Sequence, residues 1–101
     1  MSYVRIWQFQ VKADREAEFE RVYGPQGEWA YLFRRASGYE GTELVRSVNT
    51  RGLYITIDRW SSESAFLDFK MKFADEYRAL DHACEHFTEA ETNLGDYLRL
   101  S

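Results

Sequence analysis

The chain has 101 residues, enough for one domain with a modest core, and its 13 Lys and Arg against 17 Asp and Glu leave a net charge of −4. Basic residues cluster nowhere beyond the pair Arg34-Arg35, which argues against a nucleic-acid partner, and no apolar run approaches the ~20 residues of a membrane span. With no basic region ahead of an apolar run at the N-terminus, and with Cys84 as its one cysteine, the chain is expected to be soluble and cytoplasmic.

The first element is the strand YVRIWQFQV, Tyr3 to Val11, rich in β-branched and aromatic residues that alternate loosely with polar ones. Asp14 offers an N-cap to the next segment, where Phe19, Val22 and Tyr23 fall at helical spacing before Gly24-Pro25 stop the helix. A second short helix presents Trp29, Leu32, Phe33 and Ala36 on one face and ends at Ser37-Gly38. Two strands, 39–48 and 53–60, then read as a hairpin joined through Asn49-Thr50-Arg51-Gly52. Ser61 or Ser62 caps a long amphipathic helix, on which Phe66, Phe69, Phe73, Tyr77, Leu80, Cys84 and Phe87 step by threes and fours as far as about His86. The tail TEAETNLGDYLRL forms a last strand with a bulge or bend at Gly95.

This order predicts a single ferredoxin-like α+β domain over residues 1–101, a four-stranded antiparallel sheet with helices on one face. In the third strand Leu53, Ile55 and Ile57 make an apolar face, while Tyr54, Thr56, Asp58 and Trp60 mix aromatic and polar groups on the other. A sheet with no plainly solvated side needs a second cover, and the economical source is another copy, so a homodimer is expected with Leu53, Ile55 and Ile57 given to the partner.

The segments YVRIWQFQVKADREAEFERVYG, GYEGTELVR and YITIDRWSSESAFLDF carry a resemblance over nearly the whole chain to the antibiotic biosynthesis monooxygenase family. The resemblance implies a dimeric α/β barrel made of two ferredoxin-like protomers, each with a pocket between its sheet and its helices. It also implies, for some members, oxygenation of aromatic polyketides with no metal or flavin, because the deprotonated substrate itself reduces dioxygen. In those members a strand-end Trp lines the pocket with an Asn four residues earlier; Trp60 matches the Trp, and Thr56 stands where the Asn would be. Haem-degrading relatives hold iron through a helix His at a position that falls here at about Ala79, with His82 nearly a turn later. Their first-strand Asn is missing from Trp7-Gln8, so no cofactor is expected and haem degradation stands as a third, weaker alternative.

The ligand expected is a small aromatic or otherwise enolisable molecule, bound by Trp60, Tyr54, Thr56, Phe73 and Gln8, with His82 or Tyr77 as the proton acceptor and no cofactor. Trp60 is equally readable as a plug in the corner between strand and helix. HACEH, residues 82–86, fits the H-x-x-E-H zinc pattern, but a third ligand has only fifteen residues of chain left to come from, so no metal is expected. Cys84 reads as a small buried hydrophobe. The alternative function is a non-catalytic binding or accessory domain of the same fold.

Overall fold

The computed structural model describes residues 1–100. Four strands, β1 (Tyr3–Val11), β2 (Tyr39–Arg46), β3 (Leu53–Trp60) and β4 (Thr88–Leu98), form one antiparallel sheet in the order β2-β3-β1-β4. Helices α1 (Glu16–Tyr23), α2 (Glu28–Phe33), α3 (Glu63–Lys72) and α4 (Ala74–Cys84) connect them, giving the ferredoxin-like α+β protomer. No helix among the described residues is long and apolar enough to cross a membrane.

Register decides which side chains meet the helices. Tyr54, Thr56, Asp58 and Trp60 of β3 pair across with Phe9, Trp7, Arg5 and Tyr3 of β1, so these eight residues share one face. On that face Tyr3, Phe9, Tyr54 and Trp60 join Phe19, Tyr23, Phe33, Phe66 and Phe69 in the core. The other face carries Val4, Ile6, Gln8 and Gln10 opposite Arg59, Ile57, Ile55 and Leu53.

Several local expectations are corrected. Asp14 does not cap a helix; it lies within a 3-10 turn, Ala13–Arg15, that precedes α1. The single long helix is two, because the chain turns at Phe73 (φ −113°, ψ 29°) between α3 and α4. Lys72, Phe73 and Ala74 are all acceptable helix residues, so packing overrides propensity there. The turn leaves Phe73 buried beside Phe69, with the Arg35 guanidinium 4.8 Å above its ring, and swings α4 so that Tyr77 meets Trp29. β2 ends at Arg46, where the Ser47 hydroxyl accepts from the backbone N–H groups of Asn49 and Thr50 and orders the hairpin connection. Ser62 supplies the cap of α3, accepting from Ala65 N–H at 3.1 Å. The irregularity expected in β4 is present: the pairing slips between Ile6 and Trp7, leaving Leu94 unpaired beside Gly95, whose φ of +116° suits glycine.

Trp60 sits at the corner where β3 hands over to α3, fully enclosed, with Phe33, Tyr39, Phe66 and Phe69 rings centred 5.1–5.5 Å from its own. Its indole N–H is buried with no acceptor among the described residues. Trp60→Ala is therefore expected to destabilise the domain by ~3–5 kcal/mol, as for other emptied aromatic core sites. Trp60→Phe should cost much less, because it keeps most of the ring contact and removes the unpaired donor. Urea unfolding of both variants measures the difference.

Candidate functional site

Between the sheet and the helices lies a cavity of about 340 Å³, near the lower end of the range for small-molecule pockets. Its floor is the helix-facing side of the central strands: Arg5, Trp7 and Phe9 from β1, with Thr56 and Asp58 from β3. Tyr23, Trp29 and Phe33 from the first two helices, Lys70, Tyr77 and Asp81 from the last two, and Glu91 of β4 complete the lining.

The walls exist because aromatic rings this large hold the helices off the sheet at fixed angles. The Trp29 indole meets Tyr77 edge-on at 5.1 Å and lies 6.1 Å from Tyr23, which in turn packs on Phe9 at 5.1 Å. Gly27 makes this close approach of α2 possible: a Cβ there would fall 2.2 Å from the Val22 carbonyl oxygen. Only Gly fits, and the turn that follows α1 brings Trp29 over the cavity.

Asp58 is the polar centre of the site. It keeps partial exposure at the cavity while protein surrounds it, and this burial pushes its carboxyl up to about 6; the Thr42 hydroxyl, Arg5 and Arg59 pull the other way. Burial likewise raises the phenol of Tyr77 and, much more strongly, that of Tyr23, so both stay protonated at neutral pH. Lys70 is shifted down by desolvation and by Arg5, and its ammonium lies 4.1 Å over the Tyr77 ring. Arg5 is anchored by Asp96 at 3.3 Å and stacks 4.1 Å over Phe66.

Of the residues expected at a ligand site, the structure brings Thr56 and Tyr77 together in the cavity wall. Trp60 lies in the core behind Phe33, outside the wall. Tyr54 is 1% exposed, with its ring against Phe19, its hydroxyl donating to Glu20 and the Glu16 carboxylate 3.1 Å away, so α1 covers it. Phe73 is packed away beside Phe69 at the α3–α4 turn. Gln8 points to the opposite face of the sheet, because it follows Trp7 and the pleat alternates. His82 is 83% exposed and faces Glu85 at 3.5 Å, since the change of direction at Phe73 turns that side of α4 outward. His86 lies beyond α4 in a 3-10 turn, its ring tilted against Phe87 at 4.2 Å. Cys84 is buried, as expected, and burial raises its thiol.

The residues missed by sequence reasoning are Arg5, Asp58, Lys70, Asp81 and Trp29. For Asp58 a signal existed: a carboxylate in phase with Tyr54, Thr56 and Trp60 on a strand must face the helices. Its cost can be measured. Because the folded state holds the Asp58 proton more tightly than the unfolded chain does, wild-type stability should fall relative to Asp58→Asn as pH rises from about 4 to about 6, then run parallel above. Chemical denaturation across that range should show the stability of wild type relative to Asp58→Asn falling by ~3 kcal/mol.

A model of the antibiotic biosynthesis monooxygenase family matches residues 2–90. The comparison with curated proteins yields no match. Among solved structures, SnoaB, a cofactor-independent oxygenase from Streptomyces nogalater, superposes with a TM-score of 0.65 at 20% identity, over 99% of this chain and 94% of SnoaB. A Bordetella bronchiseptica protein classed with the antibiotic biosynthesis monooxygenases gives a TM-score of 0.70 at 25% identity over 99% and 98% of the two chains. A protein from Nitrosomonas europaea of the same class gives 0.73 at 14% identity over 98% and 90%. Matched by the family model over most of its length, the chain belongs to the antibiotic biosynthesis monooxygenase family.

Proposed function

We propose that the protein is a cytoplasmic, homodimeric, cofactor-independent monooxygenase acting on a small enolisable aromatic compound in the cavity between sheet and helices. The observation that carries this reading is the pairing of an aromatic enclosure, Tyr23, Trp29 and Tyr77 among its walls, with a floor that holds ionisable and hydrogen-bonding groups, Arg5, Thr56 and Asp58. The rings offer stacking and edge contacts to a flat substrate, and the floor can orient its oxygen atoms. Family membership and the likeness to SnoaB support oxygen chemistry of this kind.

In the reaction a substrate C–H or enol O–H is deprotonated, and the resulting electron-rich anion is the reductant for dioxygen. When a CH₂ group becomes C=O, one atom of dioxygen enters the product and the other leaves as water with both hydrogens. The substrate supplies all the electrons. What the chain provides is orientation, exclusion of water and a place for the proton. Tyr77, kept neutral by burial, serves as a hydrogen-bond donor to the substrate oxygen, and Thr56 as a second polar contact on the floor. The outward placement of His82 favours the second reading, a non-catalytic binding domain, and the assay below separates the two.

The other side of the sheet supports the homodimer. Ile6, Ile55 and Ile57 are only half-buried there, and Val45 is 45% exposed, so an apolar face remains for a second copy to cover.

Dithranol, an aromatic ketone that enolises, is a suitable probe. The purified protein should accelerate oxygen uptake by dithranol above the uncatalysed rate, without added metal, flavin or haem; binding with no acceleration would identify a binding domain instead. For assembly, light scattering should give twice the chain mass, and Ile57→Glu should shift the protein to the monomer by placing a charge in the apolar face.

A further inference from the structure

Resting on the reading of the cavity as the site of an enolisable aromatic, we propose that Asp58 is the catalytic proton acceptor and that Tyr39 and Thr42 form a donor chain that positions it. The Thr42 hydroxyl donates to Asp58 Oδ1 at 2.6 Å, and the Tyr39 and Thr42 hydroxyl oxygens are 2.6 Å apart. A threonine hydroxyl has one hydrogen. Since Thr42 gives it to Asp58, its oxygen can only accept from Tyr39, and the chain runs one way, from Tyr39 through Thr42 to the carboxylate. Among the described residues no donor is directed at Oδ2, which leaves that oxygen for the ligand in the cavity whose wall Asp58 forms.

The chain is built into the fold. Thr42 and Asp58 are direct partners across β2 and β3, and Tyr39 pairs with Trp60 at the same edge. The Tyr39 ring is wedged between Phe33 and Trp60 at 5.4 Å from each. Burial raises the Tyr39 phenol, which keeps its proton on the donor side of the chain. The enclosed Trp60 thereby acquires a purpose at one remove from the ligand: it fixes the ring that begins the chain.

The groups facing Asp58 from each neighbouring element suit this role. On the strands Arg5 shares the face of Asp58 and is held by Asp96, while Arg59 lies on the opposite face and pairs with Glu43 at 2.8 Å. From the helices Lys70, Tyr77 and Asp81 face the same cavity, with Glu91 at the β4 edge. Burial lifts the Asp58 carboxyl to about 6, so it is ionised at neutral pH yet more basic than an exposed aspartate. In the step itself the substrate C–H or O–H bond breaks heterolytically, the proton moves to Oδ2, and the electron pair stays on the substrate as an enolate beside Lys70 and Arg5. No electron passes to the protein. The proton returns to the water formed when dioxygen is consumed.

The experiment combines tryptophan emission, to which Trp7, Trp29 and Trp60 all contribute, with the Asp58 carboxyl carbon resonance and oxygen uptake, all with dithranol as probe, in wild type, Asp58→Asn, Thr42→Val, Thr42→Ser and Tyr39→Phe. Under argon at neutral pH, binding to wild type should quench the emission, ionise the probe and protonate Asp58. Thr42→Val should raise the Asp58 titration midpoint in the free protein, Tyr39→Phe should raise it by less, and Thr42→Ser should restore it. In air, Asp58→Asn should still quench but lose ~10²–10⁴ of the oxygen uptake. A probe that binds and ionises while Asp58 stays charged overturns the proposal, as does an Asp58 midpoint that Thr42→Val leaves unmoved. Protonation of Asp58 with no oxygen uptake in air would instead refute the monooxygenase reading alone, and absence of quenching would refute both.

Discussion

The carboxylate of Asp58 is held in a layer otherwise made largely of aromatic rings, and much of the molecule answers to that placement. A charge enclosed in this way is tolerated only with donors or counter-charges close by. Thr42 supplies the donor, Arg5 and Arg59 supply the charge, and each arginine is itself tied to a carboxylate on a neighbouring strand. The register of the central strands and of β2 against β3 is what brings these partners level with Asp58; a slip of one residue would send the carboxylate to the far face and turn Ile57 inward.

Aromatic residues solve the complementary problem of keeping a space open. A small domain packed with aliphatic side chains tends to close on itself, whereas rings meeting edge to face leave gaps bounded by rigid plates. Here the rings divide into two groups. Phe33, Tyr39, Trp60, Phe66 and Phe69 fill the corner beneath α3 completely, while Trp7, Tyr23, Trp29 and Tyr77 bound the cavity. Phe33 belongs to both, so rigidity in the filled corner is transmitted to the walls of the open one.

Much of the fold could be read from the residues because local signals and tertiary packing agree. The alternation in β1 and β3 and the irregularity at Gly95 each match the element found, and the hairpin is present with a connection two residues longer than expected. The site was less legible. Strand parity placed Thr56 on the right face, and helical spacing placed Tyr77 there, but parity cannot tell a cavity wall from a packed core, which is why Trp60 and Tyr54 share that face without reaching the cavity. His82 was misplaced for a different reason. Its direction depends on the change of course at Phe73, which no glycine or proline announces. Gln8 shows the limit of reading by proximity in sequence, since its neighbour Trp7 faces the cavity and the pleat sends Gln8 the other way.

The central claim is that the space beside Asp58 holds the ring system of the ligand. A crystal structure of the protein soaked with a dihydroxyanthraquinone, the oxidised form of such a substrate and inert to dioxygen, tests it directly. The account predicts planar density in the cavity above the floor of Arg5, Thr56 and Asp58, with a ligand oxygen in hydrogen-bonding distance of Asp58 Oδ2. Density on the open face of the sheet, or a ring system seated in the cavity with its oxygens turned away from Asp58, would contradict it.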